Sequence, residues 1–148
     1  MRCVHNAGVQ TGGVYVPNLA SRSDLYSRGA PASAFSSVPL EVQDDVLLSK
    51  SAYAYGFIKG HYPGEWTAWS EDVVECVCKL AAYELFCVRG FNPGAGSDVN
   101  IRMRYEDACA WLRDVARGSV HPTIETSSAA PTRGVRIRMI TGRRSTPL

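Results

Sequence analysis

Helical spacing is clearest from Val99 to Arg117. Ile101, Tyr105, Ala108, Leu112 and Val115 fall at i, i+4, i+7, i+11 and i+14, and Arg102, Glu106, Asp107, Arg113 and Asp114 lie off that stripe. Asp98 is the expected N-cap and Gly118 the stop. A second helix is predicted from Ser70 as N-cap to Arg89-Gly90, with Glu71 and Asp72 in the first turn, where the helix dipole favours anions. Val74, Val77, Cys78, Ala81, Leu85 and Val88 form one apolar stripe on it, and Val73, Cys76, Leu80, Tyr83 and Cys87 a neighbouring one. Only a narrow polar edge remains at Glu75 and Lys79. A helix apolar over most of its circumference is packed on several sides, so this one is expected at the centre. Val77, Leu80, Ala81 and Leu85 should line one core with Ile101, Tyr105, Ala108 and Leu112.

Pro39 opens a longer helix through about Gly60. Val42, Val46, Ser49, Tyr53 and Phe57 set its inner face, which Leu47, Ala54 and Ile58 widen. After the Pro63-Gly64 turn, Trp66 and Trp69 are expected to cap one end of the core. A short helix is predicted from Asn18 as N-cap to Arg28, closing at Gly29, with Leu19 and Leu25 turned inward. Residues 1–14, with Gly8, Gly12 and Gly13, show no periodicity and read as a flexible arm. Beyond His121-Pro122 the chain is rich in Thr, Ser, Ala and Pro until Val135 to Ile140, which alternates in part like a strand. Such a strand needs a partner. The expected architecture is all-α: a small four-helix bundle over residues 15–122 between an N-terminal arm and an extended basic C-terminal arm, 123–148. The C-terminal arm could add a strand to a neighbour.

With 148 residues, 45% hydrophobic and 20% charged, the chain has the composition of one globular domain. It lacks the roughly 18 consecutive apolar residues of a membrane span, and Met1 to Asn6 lacks a secretory stretch, so no membrane partner is expected. The net charge of +2 conceals an asymmetry. Arg133, Arg136, Arg138, Arg143 and Arg144 lie in a segment without acids, which leaves residues 1–126 mildly acidic.

Five cysteines match neither a disulfide scaffold nor paired zinc knuckles, and four of them read as small buried hydrophobes. Cys76 and Cys78, two apart on a helix, point to different sides and cannot chelate one ion. His5, His61 and His121 have no nucleophile or carboxylate at a motif spacing and read as solvated. Asn92-Pro93-Gly94-Ala95-Gly96 lacks the lysine and hydroxyl of a phosphate loop. The pairs Asp44-Asp45, Glu71-Asp72 and Glu106-Asp107 diverge by about 100° on a helix, which suits solvated faces or subunit contacts. The expectation is a non-enzyme with no catalytic residue, cofactor or metal.

The run from Leu47 to Pro122 resembles the Mu-like head-to-tail adaptor, or neck, family of tailed phages and prophages. The resemblance rests on Ser49-Lys50-Ser51-Ala52-Tyr53 through Tyr62-Pro63, on Leu80-Ala81-Ala82-Tyr83-Glu84-Leu85, and on Arg89-Gly90-Phe91-Asn92-Pro93. The strongest stretch runs from Ile101-Arg102-Met103-Arg104-Tyr105-Glu106 through Trp111-Leu112-Arg113-Asp114 to Gly118, and a weaker one covers Tyr15 to Leu25. Where the family often has Tyr-x-Leu-Pro, this chain has Tyr62-Pro63-Gly64-Glu65-Trp66, and it adds an N-terminal arm.

The resemblance implies a structural virion protein of the neck, present in the host cytoplasm during assembly. Such a protein forms a homo-oligomeric ring, commonly twelvefold, between the portal protein and a tail-side neck or tail-terminator protein, and DNA passes through it without sequence-specific recognition. On that reading Asp44, Asp45 and Glu106 are expected to face neighbours or the channel. Arg133, Val135, Arg136, Ile137, Arg138, Met139, Arg143 and Arg144 are expected to contact the portal or another subunit. Two alternatives are a nucleic-acid-binding module that grips phosphates with the arginine-bearing arm, and another neck ring, a tail terminator or stopper, which would be richer in strands.

Overall fold

The computed structural model describes residues 2, 3, 9–11 and 14–127, apart from 93, 95 and 97. The fold is mostly helical. Four α-helices occur among the described residues: α1 (Arg22–Asp24), α2 (Leu40–Ile58), α3 (Glu71–Arg89) and α4 (Asp98–Ala116). A π-helical turn (Leu25–Gly29) continues α1, and a 3-10 turn (Ala32–Phe35) precedes α2. Each end of α3 follows from its sequence: Ser70 is extended at its start, and Gly90, at φ 91°, adopts a backbone conformation that L side chains avoid. Neither this helix nor any other among the described residues is long and apolar enough to cross a membrane.

The all-round apolar helix is the central one. α3 packs against α2, α4 and the π-helical turn, and ten of its residues, from Val73 to Phe86, are buried. The core they form takes Leu47, Ala54 and Ile58 from α2, Ala108, Leu112 and Val115 from α4, and Leu19, Leu25 and Phe35 from the leading segment. Ile101 and Tyr105 are half-buried against its edge. Each fully buried leucine contributes about 1.5–3 kcal/mol relative to an exposed one. Val88 and Cys87, on the expected stripes of α3, are exposed. Of the four cysteines whose side chains are described, Cys76 and Cys78 are buried, Cys109 is half-buried and Cys87 is exposed.

Two expectations for the first half need correction. The inner face of α2 is Gln43, Leu47, Ser51, Ala54 and Ile58, whereas Ser49 and Tyr53 are exposed and Val42, Val46 and Phe57 half-buried. Two polar residues inside the stripe hid it. Both are satisfied: Gln43 donates to the carbonyls of Val38 at 2.9 Å and Phe35 at 3.3 Å and accepts from the Tyr26 hydroxyl at 2.6 Å. Ser51 Oγ accepts from the Leu19 amide at 3.0 Å. A buried polar group with partners is inexpensive, and here each ties α2 to the chain that precedes it.

The N-cap of α1 is Ser21, not Asn18. Ser21 and Asp24 form a reciprocal capping box: the Asp24 amide donates to Ser21 Oγ at 3.3 Å and the Ser21 amide to the Asp24 carboxylate at 2.9 Å. Asn18 instead accepts from Ser51 on α2. Leu19 and Leu25 are buried, as their position in the pattern implied.

Among the described residues five short strands decorate the bundle: β1 (Arg2–Cys3), β2 (Val9–Thr11), β3 (Val14–Val16), β4 (Trp66–Trp69) and β5 (Ile124–Thr126). β4 is the middle strand of an antiparallel sheet ordered β1-β4-β5, and β2 pairs with β3. Residues 124–126, assigned to the C-terminal arm by composition, thus pair with β4. Residues 2, 3 and 9–11, read as arm, are strand residues. The pattern Val9-Gln10-Thr11, Gly12-Gly13, Val14-Tyr15-Val16 is a two-residue hairpin signal in its own right. The tryptophans on β4 are buried with their indole N–H groups paired, Trp66 to the Tyr62 carbonyl and Trp69 to that of Leu19, each at 3.0 Å. The expected strand from Val135 to Ile140 lies outside the described residues.

Candidate contact surfaces

A cleft of about 250 Å³ runs between α3 and α4. Asp72, Glu75, Cys76 and Lys79 stand at i, i+3, i+4 and i+7 on one face of α3, and Asp107, Ala108 and Trp111 face them from α4. The rim carries three carboxylates against one ammonium, and that ammonium is 2.8 Å from Glu75. The hydrogen bond from Lys79 lowers the Glu75 pKa despite partial burial, with help from Arg104 and Arg28. Cys76 belongs to the apolar floor. Its thiol lies 3.7 Å from the Ala108 carbonyl, and burial, then the neighbouring Cys109, push its pKa up to about 12, so it stays neutral.

Arg104, on the α4 turn before Asp107, donates to the carbonyls of Arg28 and of Gly29, the latter at 2.8 Å. These are end groups of the π-helical turn, where a cation is favoured. Arg28 itself pairs with Glu71 at the start of α3. The leading segment, α3 and α4 are therefore locked together beside the cleft.

A second surface is aromatic. Tyr83 of α3 stacks on Tyr105 of α4, with centroids 4.2 Å apart and planes at 22°, and meets Phe91 edge-on at 5.5 Å. Tyr53 of α2, 46% exposed, packs on Phe57. A hydrogen bond with Cys109, and then burial, push the Tyr105 pKa up to about 12. Leu40, Val88 and Met103 are further large apolar side chains left exposed. Leu40 lines an open cleft of about 490 Å³ at the start of α2, with Tyr26, Phe35 and Val38 among the other walls.

The family model described as Bacteriophage Mu, Gp36 matches residues 23–140. The chain belongs to that family. It is a Mu-like phage protein. No curated protein and no solved structure gives a significant match. The family match takes in α2, β4, α3, α4 and β5 and continues to residue 140. Arg133, Arg136 and Arg138 therefore fall within the family's shared sequence, and Arg143 and Arg144 beyond it.

The structure does not gather the acidic residues singled out from the sequence. Asp44 is exposed and paired with Arg22 at 2.9 Å, bracing α1 against α2. Asp45 is exposed beside it on α2. Glu106 pairs with Arg102 on its own helix at 3.5 Å. Arg133, Val135, Arg136, Ile137, Arg138, Met139, Arg143 and Arg144 lie outside the described residues. His61 and His121 are exposed, and His61 Nε2 is 3.1 Å from the Ala116 carbonyl at the end of α4. Of the carboxylates in the adjacent sequence pairs, Asp72 and Asp107 do share a site, each the second member of its pair. Nothing in the one-dimensional pattern sets the α3–α4 register that brings them together.

Proposed function

We propose that this protein is a head-to-tail adaptor, a structural subunit that assembles as a ring between portal and tail and leaves a channel for DNA. The observation that carries the reading is family membership extending from α1 through β5 to residue 140. Its coarser part, a structural or assembly protein of a Mu-like phage, follows from that membership. The finer part draws on the resemblance of Leu47 to Pro122 to neck adaptors, for which twelve copies is the common number. The form of the chain suits the role: the core closes within one subunit around α3, while Leu40, Tyr53, Val88 and Met103 leave apolar area to bury on assembly.

The test is a phage lacking this gene, examined by electron microscopy with and without the protein supplied in trans. Heads without tails alongside free tails, rescued by the wild-type protein, are expected. Tailed particles at normal yield refute the reading. Asp45→Lys, which spares the Asp44–Arg22 pair, tests whether that exposed carboxylate meets a neighbour or the channel, and should leave the subunit folded while lowering the yield of tailed particles; an unchanged yield removes Asp45 from the proposal.

A further inference from the structure

We propose that the acid-rimmed cleft between α3 and α4 receives the segment 133–138 from a neighbouring copy of this chain, a contact made in trans around the ring. The inference rests on the ring reading above and identifies the contact that would build it.

The cleft and the segment match in charge and in apolar character. Asp72, Glu75 and Asp107 surround a floor that includes Cys76 and Ala108, with Trp111 on the α4 side. Lys79 is already engaged by Glu75, which leaves Asp72 and Asp107 to meet an incoming cation. The segment is Arg133-Gly134-Val135-Arg136-Ile137-Arg138. In extended form Arg136 and Arg138 share one face about 7 Å apart, while Val135 and Ile137 share the other. Guanidinium groups pair with carboxylates and also stack on an indole face such as that of Trp111. DNA phosphates would use the arginines but leave Val135 and Ile137 without a role, which favours a protein cleft.

The course of the chain favours a neighbour over the same copy. The Ser70 amide donates to the Thr123 carbonyl at 2.9 Å, so β5 begins beside the start of α3, close in sequence to Asp72. It then runs antiparallel to β4, until the Ser127 amide donates to the Glu65 carbonyl at 2.8 Å. The chain thus leaves the sheet at the end of β4 opposite the start of α3, heading away from Asp72 at its last described residue. The family match continues past this exit to residue 140, so the segment belongs to the shared sequence.

The experiment is sedimentation velocity on the full chain at about 50 mM salt, where charge pairing is weakly screened. Two double variants are compared with wild type: Asp72→Arg with Asp107→Arg, and Arg136→Glu with Arg138→Glu. Each should weaken self-association by about tenfold or more, with helical circular dichroism unchanged. Mixed together they should pair, because one supplies an intact segment and the other an intact cleft. Asp72→Asn with Asp107→Asn, gentler to the fold, should weaken association in the same direction. Wild-type self-association that survives both charge reversals overturns the cleft contact and leaves the adaptor reading, which is judged on tail joining, untouched. A wild-type chain that stays monomeric at its highest soluble concentration, or a mixture that fails to pair, overturns the trans contact as well. So does loss of DNA binding by the arginine variant while its self-association is unchanged.

Discussion

Two glycines in helical segments should respond to alanine with opposite signs, and the difference measures how tightly the leading segment is fitted to α3. Replacing a helical glycine by alanine gains about 0.5–1 kcal/mol from the backbone alone. Gly56 sits on an exposed face of α2 with nothing within 4 Å of an added methyl group. Gly56→Ala should therefore stabilise the protein by about that amount. Gly29 ends the π-helical turn against α3, and an added methyl group there would lie 2.8 Å from Leu25 Cδ1, 3.1 Å from the Cys78 carbonyl oxygen and 3.3 Å from Ala82 Cβ. Carbon contacts prefer about 3.5–4.0 Å. Leu25 is itself fully buried, and the Cys78 oxygen is fixed in the middle of α3. Overpacking of this kind costs about 1–3 kcal/mol, more than the backbone gain. It would also draw the Arg28 and Gly29 carbonyls away from Arg104. Gly29→Ala should lower stability by about 1–2 kcal/mol net. Urea unfolding followed by circular dichroism measures both variants, read at equal slope so that a shifted midpoint means a change of stability. A Gly29→Ala protein as stable as wild type or more so would show that the segment is not seated against α3 as described.

Leu112, fully buried between α3 and α4, should lose about 2–5 kcal/mol on truncation to alanine, and a measured loss below about 0.5 kcal/mol would place it outside the core. The Cys76 pKa, raised from 9.0 to about 12, carries a sign: the fold favours the neutral thiol, so the unfolded chain releases the proton first. That contribution is intact below pH 9 and fades as pH rises toward 12. Cys76→Ala should therefore flatten the alkaline fall in the urea midpoint relative to wild type, and parallel alkaline profiles for the two proteins would contradict the burial of that thiol.

The helices were legible where one face carried the information. α3 has apolar residues nearly all round, which admits a single interpretation, and the stripe of α4 could be read at its buried positions Ala108, Leu112 and Val115. The inner face of α2 is not legible in the spacing because Gln43 and Ser51 occupy inner positions, and a polar residue goes inside only when a partner from elsewhere in the chain meets it. Here those partners are Phe35, Val38, Tyr26 and Leu19, none of which local spacing can locate. The three-stranded sheet escaped for a related reason: β4 owes its conformation to pairing with β1 and β5, from opposite ends of the described chain.

The sequence by itself determined the helical class, the central place of α3 and the division between an acidic body and an arginine-bearing end, because burial and charge are properties of composition and of period. Only the tertiary structure decided which faces meet. Asp72 and Asp107 became two sides of one cleft, and Asp44 became a brace to Arg22, through the register between packed helices. That register is set by the packing of α3 on α4, where for example the Cys76 thiol meets the Ala108 carbonyl, an interaction between distant positions that no periodicity along the chain encodes.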